Sequence, residues 1–314
     1  LGLWDGHDAG AALVRDGRLH TAVNEERFTR RKLDIGFPKE SIKACLGEAG
    51  VSPGGIQDVA YSTLDFSKTL TRLIPSAREK YYLLRRRKVG RPRFEDMRRM
   101  LKYRSTEYGE VPFSRSLSDR YIRKNLDGMG FRDYRLHPVD HHECHVAAAA
   151  LTSGLKKSLV VTLDGVGDGL SGTVNVFENG ESSRISSIKA QDSFGIFYEQ
   201  VTTLMGMREL EDEGKVMALS NFSYPIKRED NKLIDFFRVE GLNVESKYGV
   251  GERYSKLKDV FWNTPREEIA YMAQKTLEEH SCRLLENCLE ETGMDNVCLS
   301  GGVASNIKMN MRVR

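Results

Sequence analysis

The sequence predicts an α/β chain of two related lobes, and three features lead there. The first is a strand pattern that occurs twice. Residues 1–23, LGLWDGHDAGAALVRDGRLHTAV, give an apolar run (Leu1 to Trp4), an Asp-Gly loop, a second run (Ala11 to Val14), an Asp16-Gly17 turn and a third run (Leu19 to Val23). Residues 158–188 repeat that order: Leu159 to Leu163, an Asp164-Gly165 loop, Thr173 to Phe177, an Asn179-Gly180 turn and a further strand. Asp-Gly and Asn-Gly between apolar runs are strong hairpin signals, because both positions tolerate positive φ. The second feature is the helical periodicity that follows each copy. Lys39 to Ala49 is amphipathic and Gly50 stops it, while Phe194 to Met205 and Arg266 to Glu291 carry apolar residues at helical spacing. The third is size: 314 residues, 39% of them hydrophobic, suffice for about two ordinary cores. The expected division is a first lobe over 1–157, with a helical insertion at about 70–135, and a second lobe over 158–314.

Composition removes several function classes. Lys plus Arg number 48 and Asp plus Glu 45, so the net charge is +3, which by itself argues for no nucleic-acid partner. No apolar stretch approaches the roughly 18 to 20 residues of a membrane span. Five cysteines without paired spacing exclude a disulfide framework and a zinc ribbon, and fit a reducing cytoplasm. The chain opens at Leu1 inside a strand pattern and closes at Arg314 inside a helix that begins near Ser305, so a fragment of a longer protein is expected. Between the lobes, Arg78 to Arg104 holds twelve basic residues against three acidic ones. A solvated helical insertion is the plain reading; Tyr81, Tyr82, Phe94 and Tyr103 among that charge leave open a contact with an anionic substrate or RNA.

Four segments carry candidate chemistry. His137 and DHHECH (140–145) place four of the seven histidines within nine residues. A helix starting at Asp140 sets His141 and His145 one turn apart on one face, a spacing that can hold a divalent ion and that is also met in ordinary surface or core histidines. A zinc-protease His-Glu-x-x-His is excluded, since Val146 stands four positions after His142. DGVGDGLSG (164–172) contains G-x-G-x-x-G, but a strand follows it where a dinucleotide site needs a helix. Its glycines leave two readings, a tight turn or a loop whose N–H groups approach phosphate. SGGVASN (300–306) is a strand, glycine turn and helix start suited to an anion or adenosine. EDEGKVMAL (211–219) sets charges beside a glycine, and no Gly-Lys-Ser or Gly-Lys-Thr phosphate loop exists anywhere.

Taken in order, GHDAGAALVRDG (6–17), EERFTRRKLDIGFP (25–38), DHHECH, LDGVGDG (163–169), EDEGKVMAL and LSGGVASN (299–306) resemble the O-carbamoyltransferases of antibiotic and nodulation-factor biosynthesis. The resemblance implies a sugar-kinase, chaperone and actin-like fold of two ribonuclease-H-like lobes, standing before a second domain that makes carbamoyl-adenylate from carbamoyl phosphate and ATP. It implies that His141, His145 and Asp164 ligate a divalent metal, iron(II) foremost, with a last ligand beyond Arg314. His7 matches the histidine beside the acceptor hydroxyl and is the expected general base. Gly165, Gly167, Glu213, Lys215, Gly301, Gly302 and Asn306 match nucleotide-contacting positions, and Arg27 and Lys32 match positions that meet phosphate or acceptor. Gly10 and Ser220 depart from residues common in the family, which bears on acceptor fit.

The implied partner is a small-molecule hydroxyl acceptor, with a homodimer left open. Two rivals share the fold. A tRNA threonylcarbamoyl-transferase would suit the basic insertion and is the one reading that brings in tRNA; the EERF and Gly-His-Asp segments fit the small-molecule family better. A nucleotide-binding chaperone without transfer chemistry leaves the His141 and His145 pair unexplained.

Overall fold

The computed structural model of the chain describes residues 1–85, 109 and 111–314. Most of the basic stretch Arg78 to Arg104, from residue 86 onward, lies outside the described residues. Among those described, one compact unit takes in 1–85, 109 and 111–141, and a second takes in 142–314.

In the first unit β1 (Gly2–Trp4), β2 (Gly10–Arg15) and β3 (Arg18–Asn24) form the antiparallel meander expected. Asp16 and Gly17 both take positive φ, 52° and 71°, the turn whose twist matches that of its strands. Short helix α1 (Glu26–Thr29) leads to α2 (Lys39–Ala49), which Gly50 ends at φ 62°. Buried Glu25 serves that helix from a distance: its carboxylate accepts the N–H groups of Glu40 at 3.0 Å and Ser41 at 2.8 Å, donors that a helix start otherwise leaves unpaired. Two strands that the sequence reading did not anticipate complete the sheet. They are β4 (Asp58–Ser62), parallel to β1, and β5 (Arg135–Val139), parallel to β4. Helices α3 (Phe66–Leu73), α4 (Pro75–Arg85) and α5 (Pro112–Gly128) lie between them in sequence. The strand order is 3-2-1-4-5. Leu3, Leu13, Val59 and Tyr61 form its core with Ile42 and Leu46 of α2 and Ile122 and Leu126 of α5.

The second unit repeats that plan. Helix α6 (His141–Thr152) leads to a meander of β6 (Lys157–Gly167), β7 (Leu170–Glu178) and β8 (Glu181–Lys189), and β11 (Val297–Ser300) lies parallel to β6. Its order, 11-6-7-8, reproduces 4-1-2-3 of the first sheet with the same pair directions. A sheet of this order in which the second strand alone runs antiparallel is a ribonuclease-H-like lobe. Two of them in one chain make the sugar-kinase, chaperone and actin-like fold.

Strand β6 is apolar on both faces because both are covered. Leu159, Val161 and Leu163 pack with α7 (Phe194–Leu204) and α10 (Arg266–Thr292), and Val160 packs with Val146 and Ala150 of α6. Between α7 and α10 come α8 (Glu213–Leu219), the hairpin β9 (Phe237–Glu240) and β10 (Asn243–Ser246), and α9 (Val250–Trp262); α11 (Ile307–Val313) follows β11. One expectation is corrected. Residues 164–172 are mostly strand, with a two-residue turn at Asp168 and Gly169, both of positive φ, and a bulge between Leu163 and Gly167. Their alternation continues the ladder of β6 and β7, so no open glycine loop forms there. No helix among the described residues is long and apolar enough to cross a membrane.

Candidate functional site

Helical periodicity and a bulged strand build the central cluster. His141 opens α6, so His145 follows one turn later; Asp164 sits in the bulged part of β6. One ligand atom from each of His141, His145 and Asp164 lies within 4.8 Å of the others. Nε2 of His145 is 3.1 Å from Oδ2 of Asp164, and its Nδ1 is 3.4 Å from Oγ of Ser300 at the end of β11. Oδ1 of Asp164 accepts the backbone N–H of Gly165 at 2.8 Å and of Gly302 at 2.9 Å. Within the first unit, Nδ1 of His141 is 3.0 Å from Oγ1 of Thr63. Two imidazoles and a carboxylate, each steadied by a hydroxyl or a backbone amide, are a donor set that divalent first-row metals accept, and the residues therefore fit a metal. His142, by contrast, is buried and engaged on both ring nitrogens, with Thr162 at 2.8 Å and the Leu170 carbonyl at 3.1 Å. His137 is exposed and reaches Asp58 at 2.8 Å.

The glycine segments meet at the carboxyl ends of β6 and β11, where ligands of open α/β sheets bind. Gly301 takes φ +95°, and a Cβ there would strike the Leu163 carbonyl, so the turn is close-packed against β6. A short 3-10 turn, Gly302–Ser305, leads to α11. Gly165 faces open space, whereas Gly167 is buried in the ladder opposite Leu170. Asn306 is the cap of α11: its Oδ1 accepts from the N–H of Met309 and from Nε2 of Gln274, both at 3.0 Å. Glu213 accepts the N–H of Leu210 at 2.7 Å, and Lys215 pairs with Asp212 at 2.9 Å. Burial works against the Asp212 carboxylate, but Lys215 and Arg208 outweigh it and hold its pKa at about 2. Lys308 donates to Ser220 at 2.8 Å, which ties the end of the EDEGKVMAL segment to the final helix.

In the first unit, His7 follows β1 and pairs across an isolated bridge with Ile35. Its Nδ1 is 3.3 Å from Oδ2 of Asp8, and its side chain is 48% exposed. The indole of Trp4 stands edge-on to both His7 and His141, with centroids 6.1 and 5.8 Å away, so the expected base and one expected ligand flank one ring. Lys32 is exposed and paired with Glu26 at 3.0 Å; Arg27 is exposed on α1. Sequence reasoning missed the group beneath. Asp5 is buried between Arg72 (2.9 Å) and Lys68 (3.0 Å). Burial raises the Asp5 carboxyl, but the two cations outweigh it and hold it well below the usual carboxylate range. The same burial pushes Lys68 down to about 8 against the pull of Asp5. The available signal was the Asp-Gly pair shared by both copies, which aligns Asp5 with Asp164.

Two ribonuclease-H-like lobes with glycine-rich strand ends define the class, the sugar-kinase, chaperone and actin-like proteins. Within it, residues 1–314 match the family described as carbamoyltransferase N-terminus, and the chain belongs to that family. Protein sll1178 of Synechocystis sp. is 30% identical over 332 residues, covering 98% of this chain and 51% of its own length. Nodulation protein NolNO of Sinorhizobium fredii is 27% identical over 312 residues, covering 97% of this chain and 42% of its own length. The chain thus spans about half the length of the curated relatives it matches. Among solved structures, component A of the Acidaminococcus fermentans (R)-2-hydroxyglutaryl-CoA dehydratase is 12% identical, with a TM-score of 0.48 over 99% of this chain and 86% of that one.

Proposed function

We propose that this chain is part of a cytoplasmic O-carbamoyltransferase. The enzyme moves the carbamoyl group of carbamoyl phosphate, by way of carbamoyl-adenylate formed with ATP, onto a hydroxyl of a small sugar-like or natural-product acceptor. The observation that carries this reading is the meeting of His141, His145 and Asp164 within 4.8 Å in a chain that the carbamoyltransferase N-terminus family matches from end to end. A divalent ion held by those residues, iron(II) on the two-imidazole, one-carboxylate donor set, supplies stabilisation of the charge that develops on the carbamoyl carbonyl oxygen.

The remaining work falls to the chain's own groups. Gly165, Gly167, Gly301 and Gly302, with Glu213, Lys215 and Asn306, line the nucleotide site, the small glycines letting the ligand come close to the backbone, while Arg27 and Lys32 offer charge to phosphate or acceptor. In the transfer, the acceptor oxygen bonds to the carbamoyl carbon and the bond from that carbon to the adenylate phosphate oxygen breaks. The hydroxyl proton goes to Nε2 of His7, whose Nδ1 is steadied by Asp8 at 3.3 Å. A neutral alcohol is a poor nucleophile, and a positioned base contributes about 100- to 10,000-fold.

The test is acceptor-dependent release of AMP from pre-formed carbamoyl-adenylate by the full-length enzyme and its His7→Asn variant. Loss of transfer with metal and nucleotide binding retained is the expected result. Near-normal turnover in the variant would remove His7 from the mechanism, and wild-type protein that transfers to no hydroxyl acceptor would remove the reaction.

A further inference from the structure

Thr63 follows β4 and adopts a φ of +71°, a left-handed conformation that is a genuine outlier for a β-branched residue. It is 4% exposed, and its backbone is pinned at both ends. The N–H donates to the Val139 carbonyl at 3.3 Å, and the carbonyl accepts from Nη1 of Arg72 at 2.8 Å. Arg72, itself 2% exposed, places its N–H groups on both oxygens of Asp5, the carbonyls of Ser62 and Thr63, and the Ser118 hydroxyl. A guanidinium so placed is a rigid bracket, because its five donors lie in one plane. Strained backbone persists only where the surroundings over-determine it, and it gathers at functional sites.

The outcome of that strain is the aim of the Thr63 hydroxyl. Oγ1 lies 3.0 Å from Nδ1 of His141 and 3.3 Å from Oγ of Ser62. A hydroxyl has one hydrogen and two lone pairs. Donating toward Ser62 and accepting from an Nδ1–H of His141 uses both capacities at once. We propose that Thr63 is a positioning residue for His141, holding the imidazole in the Nδ1–H tautomer that puts the lone pair on Nε2 for a divalent ion. This rests on the metal reading proposed above. A metal-bound histidine almost always donates its other ring N–H to a fixed acceptor, and here the acceptor is a hydroxyl on a residue braced by the Asp5 and Arg72 pair.

The experiment compares Thr63→Val with Thr63→Ser in the full-length protein. Valine keeps the branched shape and the same backbone cost while deleting the hydroxyl; serine keeps the hydroxyl. Two readouts are taken: the ¹⁵N pattern of the His141 ring in metal-free protein, assigned with His141→Asn, and zinc affinity by competition with a chelator. Wild type and Thr63→Ser are expected to show a protonated Nδ1, and Thr63→Val to lose that pattern and about 10- to 100-fold in zinc affinity. An Nε2–H tautomer in wild type overturns the proposal, as does a valine variant that matches wild type in ring pattern and affinity. A wild-type protein that takes up no zinc overturns the metal reading itself. That case is recognised by a His145→Ala variant that changes nothing while the Nδ1–H pattern of wild type stands.

Discussion

Oδ1 of Asp164 accepts the backbone N–H of Gly302 at 2.9 Å. The carboxylate in the bulged part of β6 is thereby tied to the glycine turn that follows β11, and its second oxygen is turned to His145 at 3.1 Å. One side chain joins the two segments that the proposed nucleotide and metal sites draw on.

Gly302→Val tests that joint. A Cβ at Gly302 would lie 2.8 Å from Oδ1 of Asp164, closer than side-chain carbons come to an oxygen, so the carboxylate or the turn must move. Binding of a non-hydrolysable ATP analogue, measured by calorimetry, is expected to be lost, and metal content to fall with it. The same nucleotide affinity in variant and wild type would place the nucleotide elsewhere.

Metal analysis of purified protein is expected to find about one divalent ion per chain, since binding couples to a preformed ligand set. His141→Ala combined with His145→Ala removes two of the three donors and is expected to leave none. Unchanged metal content in the double variant would sink the assignment.

Asp5→Ala leaves Arg72 and Lys68 buried without their shared partner. Removing one member of a buried ion pair costs about 3–5 kcal/mol, so urea unfolding is expected to shift by that order. In wild type the Asp5 contribution is present above the unfolded carboxylate value of 3.8 and is lost as pH falls through its depressed folded value. A variant as stable as wild type at neutral pH would show that the group is not an anchor.

His280 supplies a second pH dependence. Burial against Phe194 and Phe237 lowers its pKa below 6.5, although its Nε2 bond to the Ile234 carbonyl at 2.8 Å works the other way. Below about pH 6.5 the unfolded chain takes up a proton that the folded chain resists, so stability falls as pH drops through that range. The loss between pH 7.5 and 5.5, read from denaturation curves, is expected to be smaller in His280→Gln. Equal losses in the two proteins would count against this histidine as the source.

Much of this protein follows from neighbours in sequence. The turns at Asp16-Gly17 and Asn179-Gly180 need positive φ at two adjacent residues, and those pairs provide it wherever they stand. Lys39 to Ala49 and its Gly50 stop, the long helix Arg266–Thr292, and the shared face of His141 and His145 follow from a period of 3.6 residues. The doubled meander was legible for the same reason.

What only the tertiary structure decided is which distant atoms meet. Strands β4 and β5 are short and pair in parallel, so their partners lie far away in sequence and no hairpin signal announces them. Thr63 gains its role from standing at the end of β4, and Arg72 gains its own from reaching Asp5, 67 positions earlier in the chain. Gly195 stands at the start of α7, where a Cβ would come within 2.6 Å of the Asp164 carbonyl. Residues 164–172, read alone, left a loop and a turn both open; pairing with β7 made most of them strand. Local propensity depends on φ, ψ and spacing, which a few consecutive residues determine. Register and close approach depend on how whole strands and helices pack, and that is settled only when the chain is folded.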